Sequence, residues 1–232
     1  MNSKPESRLF LTIASGEFYQ RMAAVTHPFL KKYAKKIGAD FQCIENPHKS
    51  LPAHFQKMAI RELFDDYDRI LFMDTDILVR PDCPDLFELV DESHLGILDQ
   101  APHYPTSPVQ FSETISQWGY DLTPERYFNT GVMVISKCHR DLYRIPENIR
   151  IEQIPFDQEQ TVLNLNFLLD RTKIKELDLT FNHLATSEIE PDYADSFVIH
   201  YAGYKSGFRE ELLETIKEDA LALAKRFDQS LV

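Results

Sequence analysis

Short apolar runs alternate with longer amphipathic stretches along this chain. Leu9 to Ala14 is apolar enough for a buried strand. Ser15-Gly16-Glu17 follows as a turn and helix start, with Ser as a cap and Gly for tight geometry. The spacing then predicts a helix from Phe18 to Ile37, kinked or broken at His27-Pro28 and stopped at Gly38. Phe41 to Glu45 reads as a second strand, and residues 46–52 as a loop. Met58, Ala59, Leu63 and Phe64 give the segment Phe55 to Phe64 a helical period. Arg69 to Met73 is a third, continuously apolar strand. This β-α-β-α-β order predicts a mostly parallel sheet with right-handed crossovers, whose ligands gather beyond the carboxyl ends of the strands. Ser15-Gly16 and Asp74-Thr75-Asp76 both fall at such ends.

Further along, Arg80 to Pro84 breaks the pattern, and Asp85 to Val90 suits a short helix. Leu95 to Leu98 is a strand, and three prolines in Pro102 to Pro108 predict a loop beside the crevice. Tyr127 to Ser136 holds a buried strand, Asp157 to Leu169 a helix, and Lys173 to Leu177 and Phe197 to His200 two more strands. Gly207 to Phe227 closes the chain as an amphipathic helix with Leu212, Leu213, Ile216, Ala220, Leu223 and Ala224 on one face. With no internal repeat and no linker, the expectation is one α/β domain with a mostly parallel central sheet flanked by helices. Residues 8–100 would form a nucleotide-binding half and 101–208 an acceptor and sugar half, with the terminal helix at 207–228.

Composition narrows the function. The chain has 232 residues, 43% of them hydrophobic, which is ample for a core. A net charge of −12 argues against a nucleic-acid partner. Cys43, Cys83 and Cys138 have no metal-ligand spacing and read as reduced thiols, so a cytoplasmic location is expected. The first eight residues lack a signal-peptide apolar core, and nothing approaches the roughly 20 apolar residues of a membrane span. The sequence is silent on oligomeric state.

The candidate chemistry starts at Asp74 and Asp76, which interrupt the apolar run Ile70 to Val79. Two carboxylates so placed are costly to bury, and each raises the other's pKa. A hard divalent cation resolves both costs and keeps open positions for phosphate oxygens. The plain alternative is a strand-end turn in which the Asp side chains cap backbone groups. Three other segments carry a bland reading and a functional one. Asn129-Thr130-Gly131 enters a core strand as a turn, or presents the Asn amide to hydroxyls. Asp157-Gln158 caps a helix, or faces a reacting carbon. His200 ends an apolar strand ahead of Tyr201-Ala202-Gly203-Tyr204-Lys205; it is structural, or it completes an O,O,N ligand set suited to Mn²⁺, with Lys205 balancing phosphate charge.

In this order, the four segments resemble the metal-dependent glycosyltransferases of the GT-A fold, in particular glycosyltransferase family eight. The resemblance implies that Asp74, Asp76 and His200 bind Mn²⁺ (or Mg²⁺), which holds the diphosphate of a nucleotide sugar, a UDP-sugar. It implies that Thr12, Ala14 and Ser15 belong to the nucleotide-site strand and that Tyr19 stacks on the base. Thr75 would lie near the ribose, and Lys57 would touch phosphate or sugar. Asn129, Asp157 and Gln158 would line the sugar and the reaction centre, and Gly203 and Lys205 the diphosphate loop. The sequence departs from the family pattern in three places. Lys205 comes one residue early, Lys57 is about one position out of register, and the Leu-Asn expected after Asp157-Gln158 arrives two residues late, at Leu163-Asn164.

The implied reaction moves a sugar from the nucleotide donor to a hydroxyl acceptor (a glycan, a lipid or a small molecule) with retention at the anomeric carbon. Asp157 as a general base would instead suit an inverting relative. Two further readings compete. A haloacid-dehalogenase-like phosphatase also places Asp-x-Asp after a buried strand, with the first Asp as nucleophile. A non-catalytic sugar or nucleotide binder would use Tyr104, Trp118, Tyr120 and Tyr127 as platforms, although core packing accounts for these residues equally well.

Overall fold

The computed structural model describes residues 6–45, 53–150, 154, 159–186, 192, 194–203 and 208–227. The predicted loop at 46–52 lies outside them. In chain order the elements are β1 (Arg8–Ile13), α1 (Glu17–Lys36), β2 (Asp40–Ile44), a 3-10 stretch (Ala53–Ala59) running into α2 (Ile60–Leu63), β3 (Arg69–Met73), β4 (Ile77–Val79), α3 (Leu86–Leu89) and β5 (Leu95–Asp99). Then come α4 (Ser107–Gln117), β6 (Phe128–Ser136), α5 (Glu159–Leu169), β7 (Ile174–Glu176), β8 (His183–Leu184), β9 (Val198–His200) and α6 (Arg209–Arg226).

Six strands form the central sheet in the order β2-β1-β3-β6-β5-β7. It is mostly parallel, with β6 running antiparallel to its neighbours β3 and β5. All five residues of β3 and all nine of β6 are buried, which explains their unbroken apolar runs. One face of the sheet packs Leu9, Leu11, Phe72 and Met133 against Phe55, Phe64, Phe111 and Leu163. The other packs Phe10, Leu71 and Val134 against Leu30 and Tyr33 of α1. The expected amphipathic face of α6 is buried as read, with Leu213 and Ile216 joining Leu78, Ile199 and Met22. No helix among the described residues is long and apolar enough to cross a membrane.

Several local expectations change. Helix α1 runs unbroken through Pro28. The missing proline N–H leaves the Ala24 carbonyl without its helical donor, but Ala24 is exposed, so water can replace it while Met22, Phe29, Leu30 and Tyr33 hold both halves on the core. Ser15 makes no cap: Gly16 is the N-cap, at φ 91°, where glycine's freedom is required. The segment from Phe55 is mostly a tight 3-10 turn. It buries Phe55, Gln56, Lys57 and Met58 in succession, which a one-sided α-helix cannot do. The loop expected at Pro102 to Pro108 gives way at Ser107 to α4, because Pro108 sits in the first turn, where no N–H is needed.

The main addition is a second sheet in the order β4-β9-β8. Of its strands the sequence predicts only β9, within Phe197 to His200; β4 and β8, of three and two residues, are too short to leave a period in the sequence. Residues 74–76 are the turn that carries the chain from β3 in the first sheet to β4 in the second.

Buried histidines give the fold an acid limit. His27 packs edge-on against Phe41 at 5.5 Å, and its buried Nε2 has no hydrogen-bond partner among the described residues. Burial, with a smaller push from Lys31, lowers its pKa from 6.5 to about 4. His139 is lowered to about 4, again mainly by burial. Each contributes stability above pH 6.5 that is lost as pH falls towards 4, because the unfolded chain takes up the proton first. Thermal unfolding should therefore show Tm falling through this window, and His27→Leu should shrink the fall. An unchanged pH slope in His27→Leu would remove His27 from the account.

Candidate metal and donor site

The site forms where β3 ends and the two sheets meet. The β3–β6 register pairs Met73 with Val132, and the Asp74 N–H donates to the Gly131 carbonyl at 2.9 Å. In the second sheet Ile77 is paired with His200, and the Tyr201 N–H donates to the Asp76 carbonyl at 3.0 Å. Backbone pairing alone thus brings a residue from the far end of the sequence beside the Asp-Thr-Asp turn. The His200 Nε2 lies 3.5 Å from Asp76 Oδ1 and 3.8 Å from Asp74 Oδ2. One donor atom from each of the three residues falls within 4.8 Å of the others.

Charge at this place is unbalanced. The buried Lys57 Nζ lies 3.2 Å from Asp74 Oδ1 and 3.3 Å from Glu159 Oε1, and it also donates to the Thr130 carbonyl and hydroxyl. Burial works against the ammonium, but Asp74 and Glu159 more than offset it, so the Lys57 pKa is raised and the side chain stays charged. Burial raises the Asp74 carboxyl above its ordinary range, and neighbouring Asp76 adds to this against the pull of Lys57 and His200. Asp74 and Glu159 therefore share one ammonium, and Asp76 adds a third carboxylate beside Asp74. The arrangement fits a divalent cation on two grounds. Carboxylate and imidazole are a suitable donor set for Mn²⁺ or Mg²⁺. Metal–ligand distances of about 2.0–2.3 Å also imply ligand atoms roughly 3–4.5 Å apart, the range that the His200–carboxylate separations occupy.

Gly131 makes room for this arrangement. A Cβ there would stand 2.1 Å from His200 Cε1 and 2.6 Å from Nδ1. The ring is 4% exposed and its Nδ1 lies 3.0 Å from Asn182 Oδ1. The fully buried Asn182 donates through Nδ2 to Asn129 Oδ1, which also accepts the Gly131 N–H. Asn129 Nδ2 donates to Gln100 Oε1, and so does Gln160 Nε2, while Gln160 Oε1 accepts the Thr130 N–H.

The other expected site residues fall into three groups. Thr12 and Thr75 are buried and turned on each other, 3.3 Å apart. The Thr75 hydroxyl donates to the Ile13 carbonyl and its own carbonyl accepts from Thr26, so this residue pins the turn to β1 and α1. Ala14 is buried with its N–H on the Ile44 carbonyl, and Ser15 is half-buried beside it. Tyr19 is 37% exposed; its phenol pKa is raised by partial burial and then by Asp76, so the ring lies within the field of the carboxylates. Gly203 is exposed at φ 80° just beyond β9. Asp157, Gln158 and Lys205 lie outside the described residues.

Sequence reasoning missed Glu159, Gln160, Asn182, Gln100 and the role of Gly131. A signal for the first two was present. Counting back from Leu163-Asn164 with the family's spacing lands on Glu159-Gln160, two residues after Asp157-Gln158. Asn164 accepts the Phe128 N–H at 2.7 Å and donates to the Phe128 carbonyl, locking α5 in that register against β6. For Gly131 the signal was a glycine inside an apolar strand, which marks a close approach.

Gly131→Ala should displace the His200 ring and cost about 1–3 kcal/mol of stability through overpacking. It should also weaken Mn²⁺ binding, measured by isothermal titration. An Ala variant that binds Mn²⁺ as tightly as the parent would show that the ring is not a ligand.

Comparison with known proteins agrees with this geometry. The model of the family described as "Glycosyl transferase family 8" matches residues 17–206. No curated protein sequence matches the chain. Solved structures do. A glycosyltransferase involved in glycosylation of the major capsid of PBCV-1 is 16% identical with a TM-score of 0.59, covering 91% of this chain and 99% of its own. The bifunctional glycosyltransferase WbbM is 12% identical with a TM-score of 0.58 over 96% of this chain, which spans 53% of WbbM. Mouse xyloside xylosyltransferase 1 is 14% identical with a TM-score of 0.51, covering 84% of this chain and 97% of its own. Likenesses at this identity show the fold, which is that of the GT-A glycosyltransferases. With the family model spanning most of its length, the chain belongs to glycosyl transferase family 8.

Proposed function

We propose that this glycosyltransferase moves a sugar from a nucleotide diphosphate donor, a UDP-sugar, to a hydroxyl acceptor, that it requires Mn²⁺ or Mg²⁺, and that it retains anomeric configuration. The observation that carries the proposal is the convergence of Asp74, Asp76 and His200 at the carboxyl end of β3 in a family 8 chain. The location of the site, at a strand end between two sheets, supports the same reading.

In this reading Asp74, Asp76 and His200 hold the ion. A bound divalent cation would supply positive charge against the diphosphate leaving group, which is the more useful in a protein of net charge −12. Tyr19 offers a half-exposed ring to the base, and Gly203 and Lys205 border the diphosphate. Thr12, Ala14, Ser15 and Thr75 shape the nucleotide floor through backbone and packing, since the Thr12 and Thr75 hydroxyls are already engaged with one another. Asn129 and Gln160 face the sugar from the amide network, and Asp157 and Gln158 are assigned to the same reaction centre. Glu159, held by Lys57, sets negative charge where positive character develops at the anomeric carbon. The phosphatase and non-catalytic alternatives draw no support from the family match or from the structural relatives.

The test is a donor screen by thermal shift and turnover. A UDP-sugar should raise Tm only with Mn²⁺ or Mg²⁺ present. Asp76→Ala should lose about 100-fold or more in transfer or donor hydrolysis. The anomeric configuration of the product, read by NMR, tests retention. Undiminished turnover in Asp76→Ala would sink the metal requirement.

A further inference from the structure

The tautomer of His200 is fixed by a chain of donors that begins at a backbone N–H. The Gly131 N–H can only donate, and it meets the Asn129 side chain at 3.0 Å, so the atom there is Oδ1. The Asn182 atom 3.0 Å from that oxygen must then be its NH₂. This turns Asn182 Oδ1 towards His200 Nδ1, also at 3.0 Å. An amide oxygen accepts and cannot donate, so Nδ1 carries the ring proton. In the neutral ring the Nε2 lone pair is left facing Asp76 Oδ1 and Asp74 Oδ2. A lone pair aimed at two carboxylate oxygens is repulsive unless a cation lies between them.

We propose that Asn182 is a positioning residue for the metal: it accepts the Nδ1 proton of His200 and so aims the Nε2 lone pair at the ion held by Asp74 and Asp76. The inference rests on the metal site of the proposed function and adds the residue that prepares its nitrogen ligand. The fold is built around this contact. Asn182 is fully buried, and it directly precedes the two-residue strand β8, which is paired with β9 so that Leu184 stands beside His200. The stacked rings of Phe181 and Phe197 clamp the same crossing, with centroids 5.3 Å apart. The chain also extends outwards, from Asn129 to Gln100, and from Gln100 Nε2 to Ser107 in the first turn of α4. The metal's nitrogen ligand and the amides assigned to the sugar thus form one hydrogen-bonded unit. Hydrogen-bond partners of this kind fix ring orientation and raise ligand basicity.

Two measurements test this. In metal-free parent protein labelled with ¹⁵N-histidine, at mildly alkaline pH, His200 should be the Nδ1–H tautomer; its signals are assigned by their loss in His200→Asn. The Nε2–H tautomer there would overturn the proposal without any Asn182 variant having to fold. Asn182→Leu should shift the ring away from Nδ1–H and weaken Mn²⁺ binding, followed by the free-ion EPR signal, by roughly 10- to 100-fold. Equal Mn²⁺ affinity in Asn182→Leu and the parent would also overturn it. A parent protein that binds no Mn²⁺ at all would instead defeat the metal reading on which this inference rests.

Discussion

Two carboxylates on one buried ammonium, with a third carboxylate beside them, are the constraint that the rest of this site answers to. Asp74 and Glu159 flank Lys57 at the end of β3, and Asp76 lies beside Asp74. Burying like charges in a low-dielectric interior is unfavourable unless opposite charge is supplied. Burial raises the pKa of Asp74, and neighbouring Asp76 adds to the rise. Folding of the chain therefore concentrates negative charge at one place, which the divalent cation of the proposed function would offset.

Local departures from regular structure serve that arrangement. The 3-10 turn at Ala53–Ala59 drives Lys57 inward, where an amphipathic α-helix would have left it on a rim. The switch from β3 to β4 puts Asp74 and Asp76 in a turn between two sheets, so their side chains face a junction and not a packed layer. The short second sheet contributes little area; its consequence is register, placing His200 opposite Ile77 and Asn182 beside His200. Gly131 supplies the vacancy that the imidazole fills. None of these features is favourable in isolation, and stability comes from the three apolar clusters around them, as expected where function and local preference disagree.

What could be read from the sequence divides along the same line. Long apolar runs such as Arg69–Met73 and Phe128–Ser136 announced the central strands, and helical periodicity announced α6, because burial against a large core imposes its period on many residues. The Asp-x-Asp pair and His200 were legible as chemistry. Their convergence was implied only by the family resemblance, since β4 and β8 of the second sheet, three and two residues long, are too short to leave a pattern. Pro28 misled because a solvent-facing carbonyl can lose its donor at small cost. Glu159 and Gln160 stand at the family's spacing from Leu163-Asn164, but a Glu-Gln pair two residues after Asp157-Gln158 carries no distinguishing pattern of its own. Asn182 was invisible: a buried Asn after an apolar residue looks like any turn until its partners are known.

The central claim is that Asp74, Asp76 and His200 are ligands of one divalent cation that receives the donor diphosphate. The most direct measurement is a crystal structure grown with Mn²⁺ and UDP, with anomalous data collected near the manganese edge. The account predicts a single strong anomalous peak within about 2.0–2.4 Å of a carboxylate oxygen of each Asp and of His200 Nε2, contiguous with the diphosphate density. Bound UDP whose diphosphate shows no anomalous peak among these three residues, or a manganese peak coordinated elsewhere in the cleft, would contradict it.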